Sequence, residues 1–157
     1  PITLSVIRNV IDLSESEIKK LMDELIIQYR DQKGGLSIVE VANGYQMVTN
    51  PEYAEWVRKF KSTQLSGRLS MPALETLSII AYKQPVIRAE IEQLRGVSSD
   101  SAIRTLLEKR LIKVIGRKEV PGRPFLHVTT REFLEYFGLK DLSELPTLKD
   151  LTREEAA

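Results

Sequence analysis

The sequence of 157 residues has no cysteine, one histidine and one tryptophan. Without cysteine the chain has no disulfide bonds and no thiolate metal ligands, which fits a reducing cytosol. No stretch approaches the roughly 18 consecutive apolar residues that a membrane-spanning helix needs. The first residues also lack the charged and apolar segments of a secretory signal. Together with an apolar content of 42%, these absences predict a soluble globular protein.

Groups suited to catalysis are equally scarce. The one histidine, His127, falls in a predicted strand, where a structural or surface role fits its position better than a role as general base. The sequence has no phosphate-binding loop motif and no clustered histidines at metal-ligand spacing. We therefore expect no enzymatic activity, no cofactor and no metal.

Charge is nearly balanced along the whole chain, with a formal net charge of +1. Residues 67–138 hold 12 Lys and Arg against 8 Asp and Glu, so this block is mildly basic. That surplus falls short of the dense cationic stripe that non-specific DNA binding usually needs.

Residues 1–62 follow the order short helix, capped helix, hairpin, closing helix. Ser14 to Glu17 has the pattern of a capping box, followed by an apolar stripe at helical spacing. Asn43-Gly44 predicts a tight turn between two strands, because both residues tolerate positive φ. Asn50-Pro51 predicts the start of the closing helix. The apolar face of that helix either closes the core of its own unit or supports self-association through Tyr53, Trp56, Val57 and Phe60.

The same order recurs in residues 70–146, after a polar linker predicted at 63–69. A helix over about 70–82 comes first and ends before Pro85, since proline disfavours helical backbone in the residue before it. A short helix, a capped helix, two strands around a Pro/Gly loop and a closing helix ending at Gly138 then follow. We expect the tail 147–157 to fray at the terminus.

Internal repetition determines the predicted fold. Ile2 and Ile7 align with Val86 and Ile91 at an offset of 84, and the closing helices align at an offset of 80. A helix pair followed by a two-stranded wing is the winged-helix plan. We therefore predict a mostly helical α+β protein with two winged-helix domains in tandem, the first lacking its opening helix.

DNA binding is the main alternative to protein binding, because many winged helices place their second helix in the major groove. In the first unit that helix carries an excess of acidic residues, which phosphates would repel. In the second unit Arg104, Lys109 and Arg110 fit DNA better, although acidic residues lie among them. The predicted wing also presents Arg117 and Arg123 in a loop that two prolines restrict, which suits a binding loop or a merely rigid hairpin.

Several motifs together resemble the bacterial segregation and condensation protein B family. The similarity runs through 34–146 and more loosely through the N-terminal third. The motifs that carry it are Ala73-Leu74-Glu75-Thr76-Leu77, Ile80-Ala81-Tyr82-Lys83-Gln84-Pro85, Arg88-Ala89-Glu90-Ile91, Arg95-Gly96-Val97, Gly116-Arg117-Lys118, Pro121-Gly122-Arg123-Pro124 and Thr130-Arg131-Glu132-Phe133-Leu134.

The resemblance implies a non-enzymatic subunit of the SMC condensin-like complex, cytoplasmic and associated with the nucleoid. It implies a homodimer formed through the first unit. It also implies binding to the kleisin subunit, segregation and condensation protein A, and through it to the SMC ATPase. Any contact with DNA would be weak or indirect. On this basis we expect the kleisin contacts in the second unit to be Tyr82, Lys83, Gln84, Arg88, Arg117 and Arg123.

Overall fold

A computed structural model describes residues 1–61 and 68–147 of the chain. These residues form two compact units. The first contains residues 1–61 together with 137–147, and the second contains residues 68–136. Both mix α-helices with one small antiparallel sheet. Among the helices in these stretches, none is long and apolar enough to cross a membrane.

The first unit contains a three-stranded sheet in the order β1-β3-β2. The apolar stripe of its longest helix buries only Ile18 below the surface, so the core of this unit is small. The capping box at Ser14 is present: Glu17 N donates to Ser14 Oγ, and Ser14 N donates to Glu17 Oε2 at 2.9 Å. The elements are β1 (Ile2–Thr3), α1 (Leu4–Arg8), α2 (Glu15–Asp31), β2 (Leu36–Val41), β3 (Gly44–Thr49), a 3-10 turn (Pro51–Tyr53) and α3 (Ala54–Lys61).

The second unit has the corresponding order of elements and the corresponding strand order, β4-β6-β5. This is the order that the sequence repeat predicts, with one helix placed ahead of it. Its core is larger, and Leu77, Ile80, Ile91 and Leu106 are almost completely buried. The elements are α4 (Met71–Lys83), β4 (Val86–Ile87), α5 (Arg88–Arg95), α6 (Asp100–Glu108), β5 (Ile112–Arg117), β6 (Phe125–Thr129) and α7 (Arg131–Phe137).

The predicted hairpin is present in the first unit, but its turn differs by one residue. The residues with positive φ are Ala42 (50°) and Asn43 (56°). Gly44 instead begins β3, where it pairs with Thr3 of β1. A Cβ at Gly44 would lie 2.8 Å from the carbonyl oxygen of Ile2. Glycine is therefore required here by the close approach of a neighbouring strand rather than by the turn.

The boundary of the second unit also differs from the expected one at 146. The backbone N–H of Ala42 donates to the carbonyl oxygen of Leu139, and that of Asn43 to the carbonyl oxygen of Lys140, both at 2.9 Å. The Lys140 ammonium also forms an ion pair with Glu40. These contacts assign the segment from residue 137 onward to the first unit. The expected linker at 63–69 and tail at 147–157 lie almost entirely outside the described residues.

Gly44→Ala should destabilise the first unit by about 1–3 kcal/mol, because the added methyl group meets backbone that cannot move aside cheaply. The matched control is Gly35→Ala, where nothing lies within 4 Å of the added atom. Urea unfolding followed by circular dichroism measures both variants. Equal free energies of unfolding for Gly44→Ala and the parent protein would contradict the packing of β1 on β3.

Candidate partner-binding surfaces

A functional candidate in the second unit is a groove of about 670 Å³ between α5, α6 and the β5–β6 hairpin. We call it the hairpin groove. Its apolar walls include Leu107, Val114 and Phe125, each more than a third exposed to solvent. The full lining consists of Arg88, Ala89, Glu92, Asp100, Ile103, Leu107, Val114, Arg117, Gly122, Pro124, Phe125 and His127.

One of the two guanidinium groups in the hairpin groove is neutralised by its neighbours. Arg88 Nη1 donates to Asp100 Oδ1 at 2.6 Å, and Arg88 Nε lies 3.4 Å from Glu92 Oε1. Glu92 also accepts from the backbone N–H of Ser99 at 3.0 Å. Arg88 therefore joins the N-terminal ends of α5 and α6, and both carboxylates of the groove face a cation of the same chain.

The other guanidinium, that of Arg117, is held in place without a carboxylate. Its Nη1 donates to the carbonyl oxygen of Arg123 at 3.0 Å, and its Cζ lies 4.1 Å from the centre of the Phe125 ring. A cation over an aromatic face is a favourable arrangement. Within the part of the chain that the structure describes, Arg117 has no acidic partner.

His127 lines the same groove from β6 and is only 5% exposed. Its Nδ1 is buried and has no hydrogen-bond partner among the described residues. Burial lowers the pKa of His127 below its usual value of 6.5, and the nearby Val86 backbone partly opposes that shift. The neutral form of the ring is therefore favoured.

The six predicted partner contacts do not form one cluster. Arg88 and Arg117 line the hairpin groove, whereas Arg123 lies in the loop and donates to Glu119 Oε1 at 3.0 Å. Tyr82 is exposed at the end of α4. Lys83 lines a second groove of about 530 Å³ with Pro85, Val86, Glu90, Gln93 and Leu94.

Gln84, also among the predicted contacts, serves the internal structure of the second unit. Its Oε1 accepts from the backbone N–H of Thr129 at 2.7 Å and from the Thr129 hydroxyl at 3.0 Å. Its Nε2 donates to the carbonyl oxygen of Ala81 at 3.2 Å. Gln84 thereby connects the end of α4 to the end of β6.

Sequence reasoning missed the apolar walls of the hairpin groove. Leu107 belongs to the helical stripe that we assigned to the core, and only its neighbours Ile103 and Leu106 are buried. Phe125 and His127 alternate along β6 and so share one face of the sheet. That alternation was the available signal for the groove, because it places an aromatic ring beside the one histidine.

In the first unit, the closing helix exposes the residues that we considered for self-association. We call Tyr53, Trp56, Val57 and Phe60 the α3 surface. Trp56 is 68% exposed and Phe60 is 90% exposed. These two side chains therefore do not close the core of their own unit, which was one of the two interpretations of this apolar face. Lys59 Nζ lies 4.9 Å from the centre of the Trp56 ring. The same unit also exposes Val6, Val10 and Ile11.

Comparison with known families identifies the group of proteins to which this arrangement belongs. The sequence model of the family described as "Segregation and condensation complex subunit ScpB" matches residues 1–148. The chain belongs to this family. The expected resemblance is therefore confirmed over nearly the whole chain.

Relatives in this family are similar over most of their own length. A segregation and condensation protein B from Syntrophotalea carbinolica is 49% identical over 152 residues, covering 97% of this chain and 77% of the relative. Another from Symbiobacterium thermophilum is 51% identical over 154 residues, covering 98% and 70%. The crystal structure of ScpB from Mycobacterium tuberculosis is 29% identical and covers 88% of this chain and 86% of that chain, with a TM-score of 0.46.

Gln84→Ala should destabilise the second unit by about 1–3 kcal/mol, because it leaves the part-buried N–H of Thr129 without an acceptor. Lys83→Ala, one residue earlier and exposed, should change the free energy of unfolding by less than about 0.5 kcal/mol. Thermal and urea unfolding of both variants separate the two residues. Equal stability of the two variants would show that Gln84 has no such structural role.

Proposed function

We propose that this protein is a non-enzymatic subunit of a bacterial SMC condensin-like complex. In this proposal it is built from two winged-helix units in tandem, binds the kleisin subunit and thereby connects to the SMC ATPase. It acts in the cytoplasm at the nucleoid and supports chromosome condensation and segregation. Family membership supports the complex, and the names of the relatives support the process.

The main support for kleisin binding is the set of side chains that line the hairpin groove. Protein-binding grooves combine exposed apolar walls with a few oriented polar groups. Here Leu107, Val114 and Phe125 supply the apolar area, and Arg88 and Arg117 supply guanidinium groups. We keep these two arginines as proposed contacts in the groove. Tyr82, Lys83 and Arg123 remain proposed contacts outside it.

The groove lining favours a polypeptide over a DNA duplex. A winged helix that reads DNA presents polar and cationic side chains of its second helix to base edges and phosphates. In this position α6 contributes Asp100, Ile103 and Leu107. A phosphate entering the groove would meet the carboxylates of Asp100 and Glu92, and the apolar side chains would find no partner on the duplex.

Self-association through the first unit is the second part of the proposal. The α3 surface presents two aromatic rings to solvent, and buried aromatic side chains supply much of the energy of protein interfaces. The small core of this unit gives a further reason, because its exposed apolar side chains gain by burial against a second copy. We infer a homodimer that covers Trp56 and Phe60.

Titration of the labelled kleisin against the full-length protein tests the first part. We expect saturable binding, and we expect Leu107→Asp to weaken it at least 30-fold by placing a charge on an apolar wall. Leu94→Asp is the control: an exposed leucine of the same unit that lines the groove of Lys83 instead. Loss of affinity in Leu94→Asp alone would move the contact to that groove. Absence of binding by the parent protein would end the proposal.

A gel shift across salt concentrations tests the DNA alternative on the same preparation. Weak, non-specific binding is compatible with a scaffold that touches DNA indirectly. Tight binding with a steep salt dependence, lost in Arg104→Ala, would favour a DNA-binding regulator instead.

Sedimentation velocity of the full-length protein tests the dimer. We expect the Trp56→Asp and Phe60→Asp double variant to raise the dissociation constant of the dimer at least 100-fold, because two aromatic contacts are lost on each subunit. Met71→Asp is the control, since Met71 is as exposed as Trp56 but lies in the second unit. A monomeric parent protein, or a double variant that still dimerises, would contradict this assignment.

A further inference from the structure

The guanidinium of Arg117 is only partly engaged by its neighbours. Its contacts among the described residues use only Nη1 and the face of the guanidinium. The edge formed by Nε and Nη2 has no partner within the described residues. Two parallel N–H donors on one edge match the two oxygens of a carboxylate. Because the group is already held by Phe125 and the Arg123 carbonyl, little side-chain entropy is lost on binding.

The charges of the hairpin groove favour an acidic ligand over a basic one. Asp100 and Glu92 both face Arg88, so neither carboxylate is available for an incoming cation without breaking an existing pair. Arg117 is the cation of the groove that lacks such a partner. A ligand carboxylate therefore neutralises the one uncompensated charge.

We propose that the hairpin groove binds a kleisin segment in which an apolar side chain packs on Leu107, Val114 and Phe125 and an adjacent carboxylate binds Arg117. This inference rests on the proposed function, because it describes the segment that the kleisin supplies. It makes Arg117 the residue that determines specificity in the groove.

The carboxylate contact is tested with fluorescence anisotropy of labelled full-length kleisin. Arg117→Gln should weaken binding about tenfold, which corresponds to about 1.4 kcal/mol, and should reduce its dependence on salt. Lys113→Gln is the matched control, because Lys113 is exposed on the same strand β5 and lies outside the groove lining. It should stay within twofold of the parent protein. Equal loss in both variants would reduce the effect to the general charge of the hairpin.

The outcomes separate the inference from the proposed function. If the parent protein binds the kleisin and Arg117→Gln binds it equally well, the groove inference fails and the function stands. If the parent protein does not bind the kleisin, both fail. If a short DNA duplex displaces the kleisin and its own binding depends on Arg117, the edge of that guanidinium serves phosphate rather than carboxylate, and the inference is wrong.

Discussion

The hairpin groove depends on the pairing of two short strands that are distant in sequence. Val86 and Ile87 of β4 pair with His127 and Leu126 of β6. Because β4 leads directly into α5, this pairing fixes the start of that helix beside the hairpin. The same pairing places His127 in the lining of the groove. The walls of the groove therefore follow from this one contact between strands.

The two units share this topology and differ in what they leave exposed. In each unit a two-residue strand pairs with the second strand of the hairpin. In the first unit that strand packs on Gly44, and the unit exposes Trp56 and Phe60. The second unit has a larger core, and three of its exposed apolar side chains, Leu107, Val114 and Phe125, line the groove. The proposed division into a dimerisation unit and a kleisin-binding unit thus rests on surfaces rather than on fold.

Local chemistry made much of the fold predictable, and non-local contacts set the limit. The capping box at Ser14 and the order of helices and strands follow from residues close in sequence. The strands β1 and β4 could not be predicted in this way, since a strand of two residues shows no detectable alternation of apolar and polar side chains. The backbone bonds from Ala42 and Asn43 to residues 139 and 140 join positions that are far apart in the sequence. Helical spacing found the apolar face of α3 without showing that the unit leaves it uncovered.

The candidate site shows why residue type alone did not define it. Gln84 and Arg88 stand in the same motif, yet Gln84 satisfies a strand end and Arg88 joins two helices. One sequence motif can contain residues that stabilise the fold and residues that are available at the surface. Only the contacts of each side chain in the structure distinguish the two kinds. His127 is a second example. Its position in a predicted strand suggested a structural or surface role, and the structure places it buried in β6 at the groove lining, with no partner for Nδ1 among the described residues.

Ion pairs within the chain neutralise many of the basic side chains in residues 67–138. Arg88, Arg95, Lys118, Arg123 and Arg131 each lie against a carboxylate of the same unit. The charges left over are distributed over several elements, so they form no stripe that could follow a phosphate backbone. Arg117 differs from the others because its guanidinium stands on an aromatic ring at an apolar groove. A charge in that setting is more effective for recognition than a larger charge spread over solvent, since a carboxylate bound there is partly shielded from water.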